Sequence, residues 1–194
     1  MTETVSLRRR NRLAAMRSVQ AIAVTMFESG GFEATAVEGV ADASGVSAST
    51  IYRHFGTKEM LVLWDERSEV VETELAARFA TQSPVEAFRD AMVVAFGARQ
   101  DRDLFLRRLQ LVYREPAIWG AAAQQDRVDR RELAAVVAAV DGRSAATWHD
   151  TLTAAVCLTA LDVAFERWQG DPSGADLADV IRDAVNTATR GLRV

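Results

Sequence analysis

The sequence predicts an all-α protein of about nine helices, on three observations. Apolar residues recur at intervals of three and four through most of the chain, and no useful stretch alternates with period two. The three prolines, Pro84, Pro116 and Pro172, each stand where one such pattern stops and another starts. Composition is 49% hydrophobic and 26% charged, as in a packed globular chain and unlike a disordered one.

The first helix is expected from about Arg9 to Ser29, with Leu13, Met16, Val19, Ile22, Ala23, Met26 and Phe27 on its apolar face. Gly30-Gly31 stops it, because glycine takes the left-handed cap conformation without steric cost. Thr35 is placed to cap a short helix from about Val37 to Ala43, and Ser47 to cap the next, which carries Ile51 and Phe55. Thr57 then caps a helix running from Lys58 to about Phe79. Ser83-Pro84 opens a helix with Val85, Phe88, Met92 and Phe96 on one face. A shorter segment covers Asp103–Tyr113, and a long one runs from Pro116 to Val140. Asp141-Gly142 is a turn signal, and Ser144 is placed to cap a helix reaching Trp168. Beyond a Gly170–Gly174 loop, Leu177, Val180, Ile181, Ala184, Val185 and Ala188 form a stripe spaced by three and four.

Net charge is −4, but its distribution is uneven. Residues 1–60 hold seven Lys or Arg and six Asp or Glu, a balance of +1; the rest hold sixteen against twenty-one, a balance of −5. Five of the seven early basic residues lie between Arg8 and Arg17, an arm suited to face phosphates. No apolar stretch is long enough to span a membrane, and no signal-peptide core follows the arginines. Cys157 stands alone, so an internal disulfide and a multi-thiolate metal site are excluded, and a reducing cytoplasmic location is expected. The two histidines, His54 and His149, have no nucleophile at a recognisable spacing, and no phosphate-binding glycine loop or metal-ligand cluster is present. No catalytic residue, metal or cofactor is expected, and the chain does not read as an enzyme.

The informative stretch is Val37–Phe55, VEGVADASGVSASTIYRHF. A helix-turn-helix needs a small residue where its helices touch, a turn residue tolerating positive φ, and apolar residues pinning the second helix. Ala41, Gly45 and Val46 meet the first requirements, Ser47 caps, and Ile51 and Phe55 hold the second helix down. That leaves Ala48, Ser49, Thr50, Arg53 and His54 outward, with Tyr52 at the edge. Small side chains at a helix N-terminus let backbone and hydroxyls approach bases, while Tyr52, Arg53, His54 and Lys58 suit phosphates.

With Gly45-Val46-Ser47, Ile51-Tyr52, His54-Phe55, Lys58-Glu59 and Met60-Leu61 at these spacings, residues 10–63 resemble the signature of the TetR/AcrR regulators. Ser44 departs from the alanine usual there but is small enough to fit. The resemblance implies that Thr35, Ser47, Tyr52, His54 and Lys58 grip phosphates, that Ala48, Ser49 and Thr50 lie nearest the base edges, and that Arg53 borders them. It also implies a division into a helix-turn-helix domain over residues 1–56 and a helical ligand-binding and dimerisation domain over residues 57–194. The expected function is a ligand-responsive repressor that binds a palindromic operator in double-stranded DNA as a homodimer. The last two helices are expected to pair across the two-fold axis, the final stripe with Ile181 and Val185 among them. The segment FLRRLQLVYREP, residues 105–116, resembles a subgroup that senses acyl-CoA-like effectors. Among the aromatic and apolar residues of the middle helices, Phe88, Met92, Phe96, Phe105, Leu109 and Trp119 are candidates to line a small-molecule pocket. Arg107 and Arg108 are candidates either to meet a ligand phosphate or to form a solvated helix face.

Overall fold

The computed structural model describes residues 2–97, 101–170 and 175–190, and the described residues form ten helices and no strand. They are α1 (Thr2–Gly30), α2 (Val37–Ser44), α3 (Ala48–Phe55), α4 (Met60–Leu63), α5 (Ser68–Phe79), α6 (Pro84–Gly97), α7 (Arg102–Arg114), α8 (Pro116–Val140), α9 (Trp148–Gly170) and α10 (Leu177–Thr189). None of the described helices is long and apolar enough to cross a membrane. The chain divides into two compact units, one of Met1–Glu66 with Asp103–Ala122, the other of Arg67–Arg102 with Ala123–Val194.

The first unit is built on α1. Met16, Val19, Ala23, Val24 and Phe27 form its buried stripe, meeting Val37, Val40 and Ala41 of α2, Ile51 and Phe55 of α3, and Leu61 and Val62 of α4. Leu111 of α7 and Ile118 of α8 complete this core. The helix begins earlier than its apolar pattern, at Thr2 rather than near Arg9. Periodicity marks only the part of a helix that buries a face, and Met16 is the first buried residue of α1 among the described side chains. Gly31 takes φ +85°, as the stop signal requires.

A cap and a helix boundary differ from expectation in this unit. Thr35 does not cap α2: the N-cap is Ala36, and the Thr35 hydroxyl instead donates backwards to the Gly31 carbonyl at 2.8 Å. The expected long helix from Lys58 to Phe79 is also broken, with α4 ending at Trp64 in an extended conformation (ψ 130°). The break has donors of its own. Gln20 Nε2 reaches the carbonyls of Leu61 (3.1 Å) and Trp64 (2.9 Å). Arg108 reaches those of Val62 (2.6 Å), Leu63 (3.1 Å) and Trp64 (2.6 Å). Carbonyls held by side chains need no further turn of helix.

In the second unit α10 packs on α9 and α6, and α5 packs on α6. Small residues allow the close approach: Ala87, Ala91 and Ala95 of α6 and Ala154, Ala160 and Ala164 of α9 are all buried. At Gly97 a Cβ would stand 2.9 Å from the Cβ of Ala178, so α6 and α10 meet there only because the residue is glycine. At the start of α6 the Glu86 carboxylate accepts from both the Ser83 N–H (3.3 Å) and the Ser83 hydroxyl (2.6 Å). At α9 the cap is Thr147, not Ser144: Asp150 N–H donates to Thr147 Oγ1 (3.4 Å) and Thr147 N–H to Asp150 Oδ2 (2.7 Å). The final stripe also differs from expectation. Leu177, Val180, Ile181 and Val185 are buried in this chain's own core, leaving none of them for a second copy.

Candidate nucleic-acid interface

The turn between α2 and α3 follows from three residues. Gly45 takes φ +68°, which lets the Val46 N–H return to the Ala41 carbonyl at 3.2 Å and close α2. Ser47 Oγ accepts from the Thr50 N–H at 3.3 Å and lies 2.9 Å from Thr50 Oγ1, starting α3. Ile51 and Phe55 are buried, and Phe55 meets Trp64 edge-on at 5.7 Å. The second helix is therefore pinned at both ends.

What α3 presents outward is free of acidic side chains. Ser49, Tyr52 and Arg53 are exposed, and Ala48, Thr50 and His54 are half-buried. Tyr52 is 46% exposed, so its ring is available rather than spent on packing. Ser47, Ser49 and Thr50 cluster at the positive end of the helix dipole, where hydroxyls and N–H groups suit anionic or acceptor groups. Lys58 stands apart from this row. Its ammonium lies 4.3 Å from the centroid of the Phe32 ring and donates to the Glu33 carbonyl at 3.4 Å, at the C-terminal end of α1. Thr35 is buried, so its hydroxyl does not join the exposed set.

Gln20 and Arg108 are buried polar residues that no local sequence signal marks. Arg108 is neither a solvated nor a ligand-facing arginine; it is 5% exposed and engaged with α4, with Asp65 at 3.4 Å. Arg107 is likewise occupied, its Nε donating to Glu28 Oε2 (2.9 Å) and its Nη2 to Thr25 Oγ1 (2.9 Å). Glu28 beside it holds the guanidinium pKa above its ordinary value.

The six pocket candidates divide between the units. Phe88 and Met92 are buried in the second, where Phe96 meets Phe165 edge-on at 5.1 Å. Phe105 and Leu109 are buried in the first, and Trp119 is 46% exposed beside Tyr113. One cleft of the second unit is lined by Phe96, Gly97, Arg102, Trp168, Asp176 and Leu177; its volume of about 40 Å³ admits water rather than an effector. Among the described residues no group of three or more His, Cys, Asp or Glu could hold a metal ion.

Residues 21–63 match the sequence profile described as bacterial regulatory proteins, tetR family, and residues 82–193 match that of the MftR C-terminal domain. The HTH-type transcriptional regulator TcmR of Streptomyces glaucescens is 30% identical over 130 residues, 62% of this chain and 57% of that protein. The chain thus spans somewhat over half the length of this curated relative. Among solved structures, FadR of Thermus thermophilus, a TetR-family repressor in complex with lauroyl-CoA, aligns with a TM-score of 0.55 at 22% identity, over 92% of this chain and 95% of that one. NalD, the secondary repressor of the MexAB-OprM multidrug efflux pump in Pseudomonas aeruginosa, aligns with a TM-score of 0.56 at 17% identity, over 94% and 97%. At such identities these two establish likeness of fold.

Proposed function

The chain belongs to the tetR family of bacterial regulatory proteins, a DNA-binding regulator and not an enzyme, and from that premise we propose that it is a dimeric repressor released from an inverted-repeat operator by a small apolar or acyl-CoA-like effector. The observation that carries the DNA reading is α3 itself: a short helix pinned by Ile51 and Phe55 that turns an acid-free, hydroxyl-rich face outward. Ala48, Ser49 and Thr50 read base edges, Arg53 borders them, and Ser47, Tyr52, His54 and Lys58 hold phosphates. Lys58 leaves its aromatic seat to do so, and Thr35 acts through the turn it braces. Residues 1–56 supply this function; residues 57–194 supply effector binding and dimerisation.

Dimerisation uses the outer face of α9, where Leu152 and Val163 are half exposed on the side opposite the buried Ala154, Cys157, Ala160 and Ala164. The effector reading is supported by the lauroyl-CoA bound to the FadR neighbour and by the apolar Phe88, Met92 and Phe96 of α6. Arg107 and Arg108 are excluded as headgroup ligands, because both are committed within the first unit.

Selection of bound fragments from random duplexes tests the whole reading. It should enrich a dyad-symmetric sequence, since a two-fold assembly imposes its symmetry on the site. Tyr52→Ala should weaken binding to every sequence, whereas Ser49 substitutions should change the preference. Lauroyl-CoA added to the selected complex should lower operator affinity by roughly 5–150-fold, the usual range of such coupling. No enriched dyad refutes the operator, and unchanged affinity with bound lauroyl-CoA refutes the effector.

A further inference from the structure

We propose that the stretch of α1 from Leu7 to Ala15 is a second DNA-contacting element that grips phosphates flanking the site read by α3. The inference rests on the DNA-binding reading above but uses residues outside the helix-turn-helix and outside the matched span 21–63. From Thr4 to Phe27 the chain carries five arginines and no acid. Four of them, Arg8, Arg9, Arg10 and Arg12, fall on the exposed stretch of α1 that precedes Met16. Arg17, by contrast, is paired with Glu66 at 3.2 Å. Arg8, Arg10 and Arg12 make no ion pair among the described residues.

Folding does not explain this placement. Cations at the N-terminal end of a helix oppose the macrodipole, and like charges four apart, as at Arg8 and Arg12, repel. From Leu7 to Ala15, roughly 13 Å of helix, no described side chain is fully buried, and such a stretch is marginal by itself. A polyanion laid along it removes both penalties at once. The extension is continuous with the helix whose later turns carry the core of α2, α3 and α4, so it is tethered to the unit that reads DNA. A membrane surface fits less well. Among the described residues beside the arginines only Leu7 is large, apolar and exposed, which gives no apolar face to insert.

The test compares the wild type with two fourfold variants at Arg8, Arg9, Arg10 and Arg12, one all Gln and one all Lys. The probe is a mixed-sequence duplex of about 40 base pairs, titrated across salt concentrations. The Gln variant should lose about 2–4 from the slope of log K against log salt, and on the order of a hundredfold in affinity at 0.1 M salt. The Lys variant should keep the slope. Thermal midpoints should not fall, since none of the four side chains lies in the core and the Gln variant relieves the charge repulsion. Should one move, single Arg8→Gln and Arg10→Gln variants should each cost nearly one unit of slope. A slope unchanged in the Gln variant overturns the inference while leaving the helix-turn-helix reading intact. Failure of the wild type to bind the duplex overturns that reading instead. Loss of binding to phosphatidylglycerol vesicles with an unchanged duplex slope also overturns the inference, in favour of a membrane partner.

Discussion

A four-residue helix such as α4 offers its last carbonyls no intrahelical partner, and here two side chains remote in sequence supply the donors. Arg108 serves three of them and Gln20 two, sharing that of Trp64. A planar guanidinium can bridge several acceptors at once, which a lysine ammonium on a flexible stem does poorly. Arg108→Met should therefore destabilise the protein by about 2–4 kcal/mol, through orphaned buried carbonyls, and Arg108→Lys should recover little of it. Chemical denaturation with an unchanged midpoint for Arg108→Met would contradict this. The same residue shows where sequence reading stops. Arg108 sits on a helix with Arg107 beside it, and nothing local distinguishes a solvated arginine from one that serves carbonyls some 45 positions away. Ser47 and Gly45 were legible because the groups they serve, Thr50 N–H and the end of α2, lie within four residues. Thr35 was misread because a threonine hydroxyl can bond forwards as a cap or backwards to a carbonyl, and here it goes back to Gly31.

At the scale of elements, helix boundaries follow whichever capping group has the better partner. Ser83-Pro84, Pro116 and Asp141-Gly142 marked boundaries correctly because proline and glycine act on their own backbone. Ser144 and Thr147 competed for the start of α9, and the Thr-x-x-acid spacing to Asp150 was the signal that decides for Thr147. Asp150 also receives Arg143, with Nη2–Oδ1 at 2.8 Å. The Arg143 guanidinium first, and the Thr147 N–H after it, hold the Asp150 carboxyl well below the usual carboxylate range. A carboxyl depressed in the folded state stabilises it above the unfolded value, near 3.9. That contribution is lost as pH falls through that value toward the folded one. Asp150→Asn should therefore lower the thermal midpoint most at neutral pH, and the gap from wild type should close below about pH 4. A gap that widens in acid would reverse the assignment.

At the scale of the whole molecule, α9 has to satisfy two surfaces. Ala154, Cys157, Ala160, Ala164 and Trp168 face the core of the second unit, and burial pushes the Cys157 thiol up to about 12. The opposite side carries Trp148, Leu152 and Val163, 68%, 51% and 50% exposed. Exposed apolar residues in a row on a core helix mark an interaction surface, and the two-fold repressor proposed above supplies its occupant. The final helix contributes differently from the sequence expectation: its apolar stripe closes the core, and Asp179, Arg182 and Asp183 face outward. The two helices thus predict opposite outcomes for the same chemical change. Leu152→Glu with Val163→Glu should leave helicity and thermal midpoint nearly intact while shifting sedimentation from dimer to monomer at low micromolar concentration. Operator affinity should then collapse, because two half-sites a helical turn or more apart are no longer held by one particle. Ile181→Glu, at a position with no exposed surface, should instead bury an unpaired charge and cost several kcal/mol of folding stability. A folded Leu152→Glu, Val163→Glu protein that still sediments as a dimer would place the interface off the outer face of α9.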